Sequence, residues 1–254
     1  MAEAFSNIDF LLLIVLFLSG AIAFSISTIS GGGGALMLVP LLNFIIGTTN
    51  TAPVINLGIF ISRPSRIIIY WKNIVWKVFW YYVPSAMLGA ILAAWFFSEI
   101  KIAWLQIIVS IFLISTFFQF RFGKKERSFS VQLWYFIPLG FIISIIGTFT
   151  GGMGPVLNPF YLNSGITKES LIGTKAANSI FLGFAQVSSY TFFGLLTTEL
   201  WIYGISLGIG ATIGNLIGKK ILVNISSITF RKLVIVIMVI SGILLLIKAV
   251  LSLY

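Results

Sequence analysis

The chain has 254 residues, 59% of them hydrophobic and 9% charged, with a formal net charge of +10 and a mean hydropathy of +1.09. Soluble domains carry about a quarter charged residues and lack long apolar runs, so this composition excludes a soluble globular protein and makes the bilayer the solvent. There is no Cys and no His, which excludes disulfide scaffolds, thiol chemistry, imidazole proton relays and the metal sites built on those ligands, and no cofactor is expected.

An apolar run from Phe10 to Phe24 contains Ala21-Ile22-Ala23, which looks like a signal-peptidase site. The residues before it carry Glu3 and Asp9 and no Lys or Arg, whereas a signal peptide needs a basic leader, so the run is expected to be a retained first span. Further apolar segments fall at roughly 35–46, 51–71, 78–97 and 102–121. The polar stretch Arg121-Phe122-Gly123-Lys124-Lys125-Glu126-Arg127-Ser128 follows, and apolar segments resume at roughly 132–150, 155–164, 168–196, 200–218 and 230–252. The expected fold is all-α and polytopic, with about ten helical segments. Residues 1–122 form a first membrane repeat, 123–131 a basic cytoplasmic linker and 132–254 a second repeat.

The second and seventh segments are short. Twelve helical residues rise only about 18 Å against a hydrocarbon core of about 30 Å, so these segments are expected to break or re-enter, which is tolerated only where backbone is buried in protein or lines a wet cavity. Each follows a glycine cluster. Ser30-Gly31-Gly32-Gly33-Gly34 precedes a segment with Pro40 and then Gly47, and Thr150-Gly151-Gly152-Met153-Gly154 precedes one with Pro159 and then Gly165. A motif recurring once per five-segment half places the two copies in opposite orientation, the inverted-repeat plan of many secondary transporters.

Treating every segment as one crossing puts Lys72, Lys77, Arg121, Lys124, Lys125, Arg127, Lys168, Lys219, Lys220, Arg231 and Lys232 on one side, and Lys101 and Lys248 on the other. The basic side is expected to be cytoplasmic. Glu3, Asp9, Glu99 and Glu199 collect outside, so positive charge serves orientation and no nucleic-acid partner is expected.

Glycine runs at a helix start let amides converge at its positive end, forming an anion cradle. The same glycines can simply permit close helix crossing, but their recurrence before a half-helix in both halves favours a site made of Gly32, Gly33, Gly34, Gly151, Gly152 and Gly154, between the repeats. Three cations fall inside apolar segments, Arg63 and Arg66 in the third and Lys175 in the eighth, whereas all six carboxylates can be assigned to loops or membrane edges. Intramembrane charge is costly and commonly functional. Alternatively, Arg66 lies six residues before Lys72, about 9 Å of helix, and could snorkel to the surface. Asn56, Ser62, Asn158, Thr174, Asn178 and Gln186 share these segments; each can serve an oxyanion or an interhelical bond worth about 0.6 kcal/mol. Asn56, Asn158 and Asn178 are the candidate ligands among them.

The chain resembles the sulfite exporter TauE/SafE family of anion permeases over nearly its whole length. The resemblance rests on the order and spacing of Ser30 through Pro40, Lys72-Asn73-Ile74-Val75-Trp76, Met87-Leu88-Gly89-Ala90, Gly147 through Gly154, Gly173-Thr174-Lys175, Gly214-Asn215-Leu216-Ile217-Gly218 and Phe230-Arg231-Lys232-Leu233. It implies a transporter of sulfite, sulfonates or related sulfur anions, with paired repeats. Met153 interrupts the second glycine run, Pro155 follows it, and Asn56 stands where the family commonly has Thr or Ser. A small anion and the lipid bilayer are the expected partners, and the sequence leaves a homo-oligomer open. A passive anion channel and a non-transporting membrane assembly protein fit the same composition. A membrane enzyme would lack an obvious reactive group, leaving Ser and Tyr alone.

Overall fold

Backbone in hydrocarbon must satisfy its own hydrogen bonds, so apolar segments of this length become helices. In the computed structural model, which describes residues 10–96, 103–120, 127–150 and 154–251, they do so throughout. The helices, in chain order, are α1 (Phe10–Ile29), α2 (Gly34–Ile46), α3 (Thr48–Ile69), α4 (Trp76–Phe96), α5 (Ala103–Gln119), α6 (Phe136–Thr150), α7 (Asn158–Asn163), α8 (Lys168–Phe192), α9 (Thr198–Asn224) and α10 (Ser227–Leu251). Short 3-10 turns at Trp71–Asn73, Leu133–Tyr135 and Gly154–Leu157 join some of them. The protein is therefore an all-α, polytopic membrane protein. Among the described residues, Phe10–Ile29, Asn50–Ile69, Thr198–Asn224 and Ser227–Leu244 are long and apolar enough to cross a bilayer individually. Residues 123–126 of the expected linker, and Gly151 and Gly152, lie outside the described residues.

Helix ends depart from the apolar segments where capping and packing outweigh hydropathy. α9 continues past 218 through Lys219 and Lys220 to Asn224, and α10 starts at Ser227, so Arg231 stands in its second turn.

The helices fall into two compact units, and each draws on both sequence halves. One contains α1, α2, α3, α8 from Lys175 onward and α9; the other contains the turn Ser30–Gly32, α4 to α7, the start of α8 and α10. In the second unit α4 packs on α6, where Ser144 Oγ donates to Ala86 O at 2.6 Å, and α5 packs on α10.

In the first unit α1 and α9 run parallel with their backbones in contact. A Cβ on Gly210 would overlap Phe17 O, one on Gly214 would overlap Ala21 O, and one on Gly218 would lie 2.7 Å from Thr28 Cβ. Ser206 Oγ donates to Leu13 O at 2.8 Å and Ser25 Oγ to Gly214 O at 3.1 Å, one pair near each end of the seam. Small residues four apart on one helix face allow this approach in lipid, where apolar burial gives helices no drive to associate. α3 also runs parallel to α9, with Leu57 against Gly204 and Ile61 against Gly208. α8 runs antiparallel to α3, pairing Asn56 with Tyr190 and Arg63 with Gly183.

Because α1 and α3 are parallel, α2 must return the chain between them. It starts against Ser27 and Ala23 of α1 and ends beside Leu12, where a cavity of about 330 Å³ is lined by Leu12, Ile46, Asn50, Glu199 and Tyr203. The second segment is short, as expected, yet its 13 residues carry the chain back rather than doubling it over within its length. α7 is shorter still, with six residues behind a 3-10 turn.

Gly214→Leu places a branched side chain where α1 backbone now lies. It is expected to cost about 1–3 kcal/mol and to lower the thermal midpoint followed by tryptophan fluorescence in detergent, while Ile213→Leu, at a 37% exposed neighbouring position, leaves it in place.

Candidate functional site

The turn before α2 is possible only because it is glycine. Gly31, Gly32 and Gly33 have φ of 70°, 148° and 91°, values L side chains rarely adopt. The first α2 bond runs from Met37 N–H to Gly33 O at 3.2 Å, so the amides of Gly34, Ala35 and Leu36 lie at the open, positive end of the helix. Gly34 sits so close to α1 that a Cβ there would lie 3.0 Å from Ser27 Cβ.

Ser27 is also where Arg66 arrives. Arg66 does not snorkel. Its Nη2 donates to Ser27 Oγ at 3.1 Å and Thr28 Oγ1 at 3.2 Å, and its Nε donates to Asn215 Oδ1 at 2.7 Å. The guanidinium carbon lies 5.1 Å from the centroid of the Phe24 ring, within cation–π range. Among the described residues every hydrogen-bond acceptor of this cation is neutral, and none of the six carboxylates of the chain belongs to α1, α3 or α9 except Glu199, at the opposite end of α9.

Asn215 organises this cluster from α9. It is fully buried; its Nδ2 donates to Ser65 Oγ at 2.9 Å and Ser62 O at 3.2 Å, and its Oδ1 also accepts from Thr28 Oγ1 at 3.2 Å. The amide is thus oriented by its donors, leaving the carbonyl oxygen for Arg66.

Arg63, one turn earlier on α3, extends toward α8. Its Nη1 is buried without a hydrogen bond among the described residues, directly over Gly183, where any Cβ would overlap it. Lys175 stands in the second turn of α8 in the same unit. Arg66 lies near enough for its charge to act on both Arg63 and Lys175. Three cations expected separately from the sequence therefore share one electrostatic environment. Toward the other end of the α3–α8 seam, Phe60 and Phe184 rings lie 6.4 Å apart, and Asn56 Nδ2 donates to Tyr190 Oη at 3.1 Å.

The remaining candidates divide between the units. Gly33, Gly34, Asn56 and Asn178 belong to the unit that holds the cations, with Asn178 buried on α8 three residues beyond Lys175; Gly32, Gly154 and Asn158 belong to the other, with Asn158 fully buried at the start of α7. Sequence reasoning missed Ser27, Thr28 and Asn215 as partners of Arg66. The available signal was Asn215 itself, a buried amide inside the apolar run of α9 between Gly214 and Gly218. Arg231, in the second turn of α10, is 5% exposed in the second unit.

Comparison with known proteins agrees with this architecture. The family model described as Sulfite exporter TauE/SafE matches residues 16–245. No curated protein and no solved structure matches the chain. The family match spans all ten helices, from within α1 to within α10, and the chain therefore belongs to the sulfite exporter TauE/SafE family of membrane transporters.

Proposed function

We propose that the protein exports a small sulfur-containing anion, sulfite or an organosulfonate, and that Arg63, Arg66 and Lys175 form its binding station. The observation that carries this reading is the gathering of three cations in one unit, where the hydrogen-bond partners of the central one, Arg66, are all neutral oxygens among the described residues. Positive charge in a low-dielectric setting that is held by neutral oxygens, as Arg66 is among the described residues, is unfavourable, and an incoming oxyanion relieves it. The amide end of α2, which shares Ser27 with Arg66, offers further donors to the same anion.

The two sequence halves act as inverted repeats. In support, the first helix of each half packs on the fourth helix of the other, α1 on α9 and α6 on α4. Orientation follows from charge. The parallel helices α1, α3 and α9 bring Lys72, Lys219 and Lys220 toward the end that holds Arg66, while Glu199 takes the other end. We assign the basic end to the cytoplasm. The cations then concentrate anions at the inner mouth, and an inside-negative potential, worth about 2.3 kcal/mol per charge per 100 mV, drives them outward without a coupled ion.

Proteoliposomes given concentration jumps of sulfite, sulfoacetate, thiosulfate, sulfate and phosphate are expected to show saturable current for a sulfur anion. Lys175→Ala and Arg63→Gln should each lower its kcat/KM at least about tenfold, the equivalent of about 1.4 kcal/mol. Unchanged transport in both variants would remove the station. Unsaturable current would instead indicate a channel.

The absence of native cysteine makes the orientation directly readable. Lys125→Cys is expected to react with a membrane-impermeant maleimide only from the cytoplasmic side, and Thr198→Cys only from outside; the reverse pattern would invert the topology and place the basic end outside.

A further inference from the structure

Resting on that reading of the cation station, the geometry points to Asn215 as a positioning residue that keeps Arg66 available to the anion. A guanidinium has five N–H groups in a planar fork. Here Nε is held by Asn215 Oδ1, and Nη2 is held by Ser27 and Thr28. Among the described residues no hydrogen bond reaches Nη1. One edge of the fork is anchored to protein and the other is left open, with two donors in a fixed direction. That is a form suited to one oxygen, or two, of a small oxyanion.

The choice of amide over carboxylate at this position decides what Arg66 can do. Asp has nearly the shape of Asn and would also accept from Nε at 2.7 Å. It would, however, supply a permanent internal counter-ion to a cation whose other acceptors are hydroxyls. Asn offers the same acceptor without the charge, so the guanidinium is fixed while its field stays unneutralised. The amide cannot flip to present its donors to Arg66, because Nδ2 is already committed to Ser62 O and Ser65 Oγ on α3. Gly214 and Gly218 bring α1 close enough for Thr28 to meet both partners. Orientation, neutrality and reach thus come from one buried side chain that the anion itself need not touch.

The test is Asn215→Asp in the full chain, with Thr28→Asp as a second way of placing a carboxylate beside the same guanidinium should the first variant fail to fold. Sulfite-evoked current in proteoliposomes gives half-saturation and maximum separately, and thermal midpoints with sulfite, thiosulfate, sulfate and chloride give binding without transport. Both variants are expected to raise the half-saturating sulfite concentration at least tenfold, and to abolish the thermal shift that the oxyanion gives the unmodified protein. A purely structural role would lower maximum current and thermal midpoint with half-saturation unchanged, and would overturn the assignment. If the unmodified protein carries no current yet is stabilised by an oxyanion, and the variants lose that shift, the transport reading fails while the role of Asn215 stands. If no anion shifts the unmodified protein, and current, where present, shows equal half-saturation in all forms, Asn215 does not act through the anion.

Discussion

Backbone contact between α1 and α9 sets the spacing on which the cation cluster depends. Gly210, Gly214 and Gly218 present no side chain toward α1, so Phe17, Ala21 and Ser25 lie directly against them. Only at that separation does Asn215, one residue beyond Gly214, reach Thr28 on α1 and Arg66 on α3 together. A side chain on the ladder would part the helices by a few ångströms, while a hydrogen bond loses most of its strength well before that. Close packing through small residues and the polar cluster are therefore one feature.

The energetic logic of the station differs from that of a buried ion pair. Carboxylates would neutralise Arg63, Arg66 and Lys175 but would compete with any anionic ligand. Hydroxyls, an amide and an aromatic face instead solvate Arg66 piecemeal, through dipoles that cost little to desolvate. Arg63, packed on the bare backbone of Gly183, is supported less completely. Arg63 Nη1 is thereby held short of full satisfaction among the described residues.

Much of the helical plan was legible because hydropathy and length dominate in a bilayer: all ten expected segments correspond to helices, and the two short ones follow the glycine clusters. The cations were legible for the same reason, since Arg and Lys stand out in apolar runs. Their relation to one another was not. Arg66 and Asn215 are separated by 149 residues, and nothing in either helix alone says that α3 and α9 run parallel and in register. The surface alternative for Arg66 was reasonable by distance along its helix and failed because Ser27, Thr28 and Asn215 offer better partners than the interface does. Helix ends were less legible, since α10 begins at Ser227, three residues before its apolar run.

The brevity of α2 has an electrical side. Thirteen residues cover about 20 Å, so the polar turn at Gly31–Gly33 and the cavity near Asn50 together leave less insulating depth than a full-length helix would. Where water penetrates both ends of such an element, the membrane voltage falls across the thinner dielectric that remains. The local field is then steeper than the bilayer average.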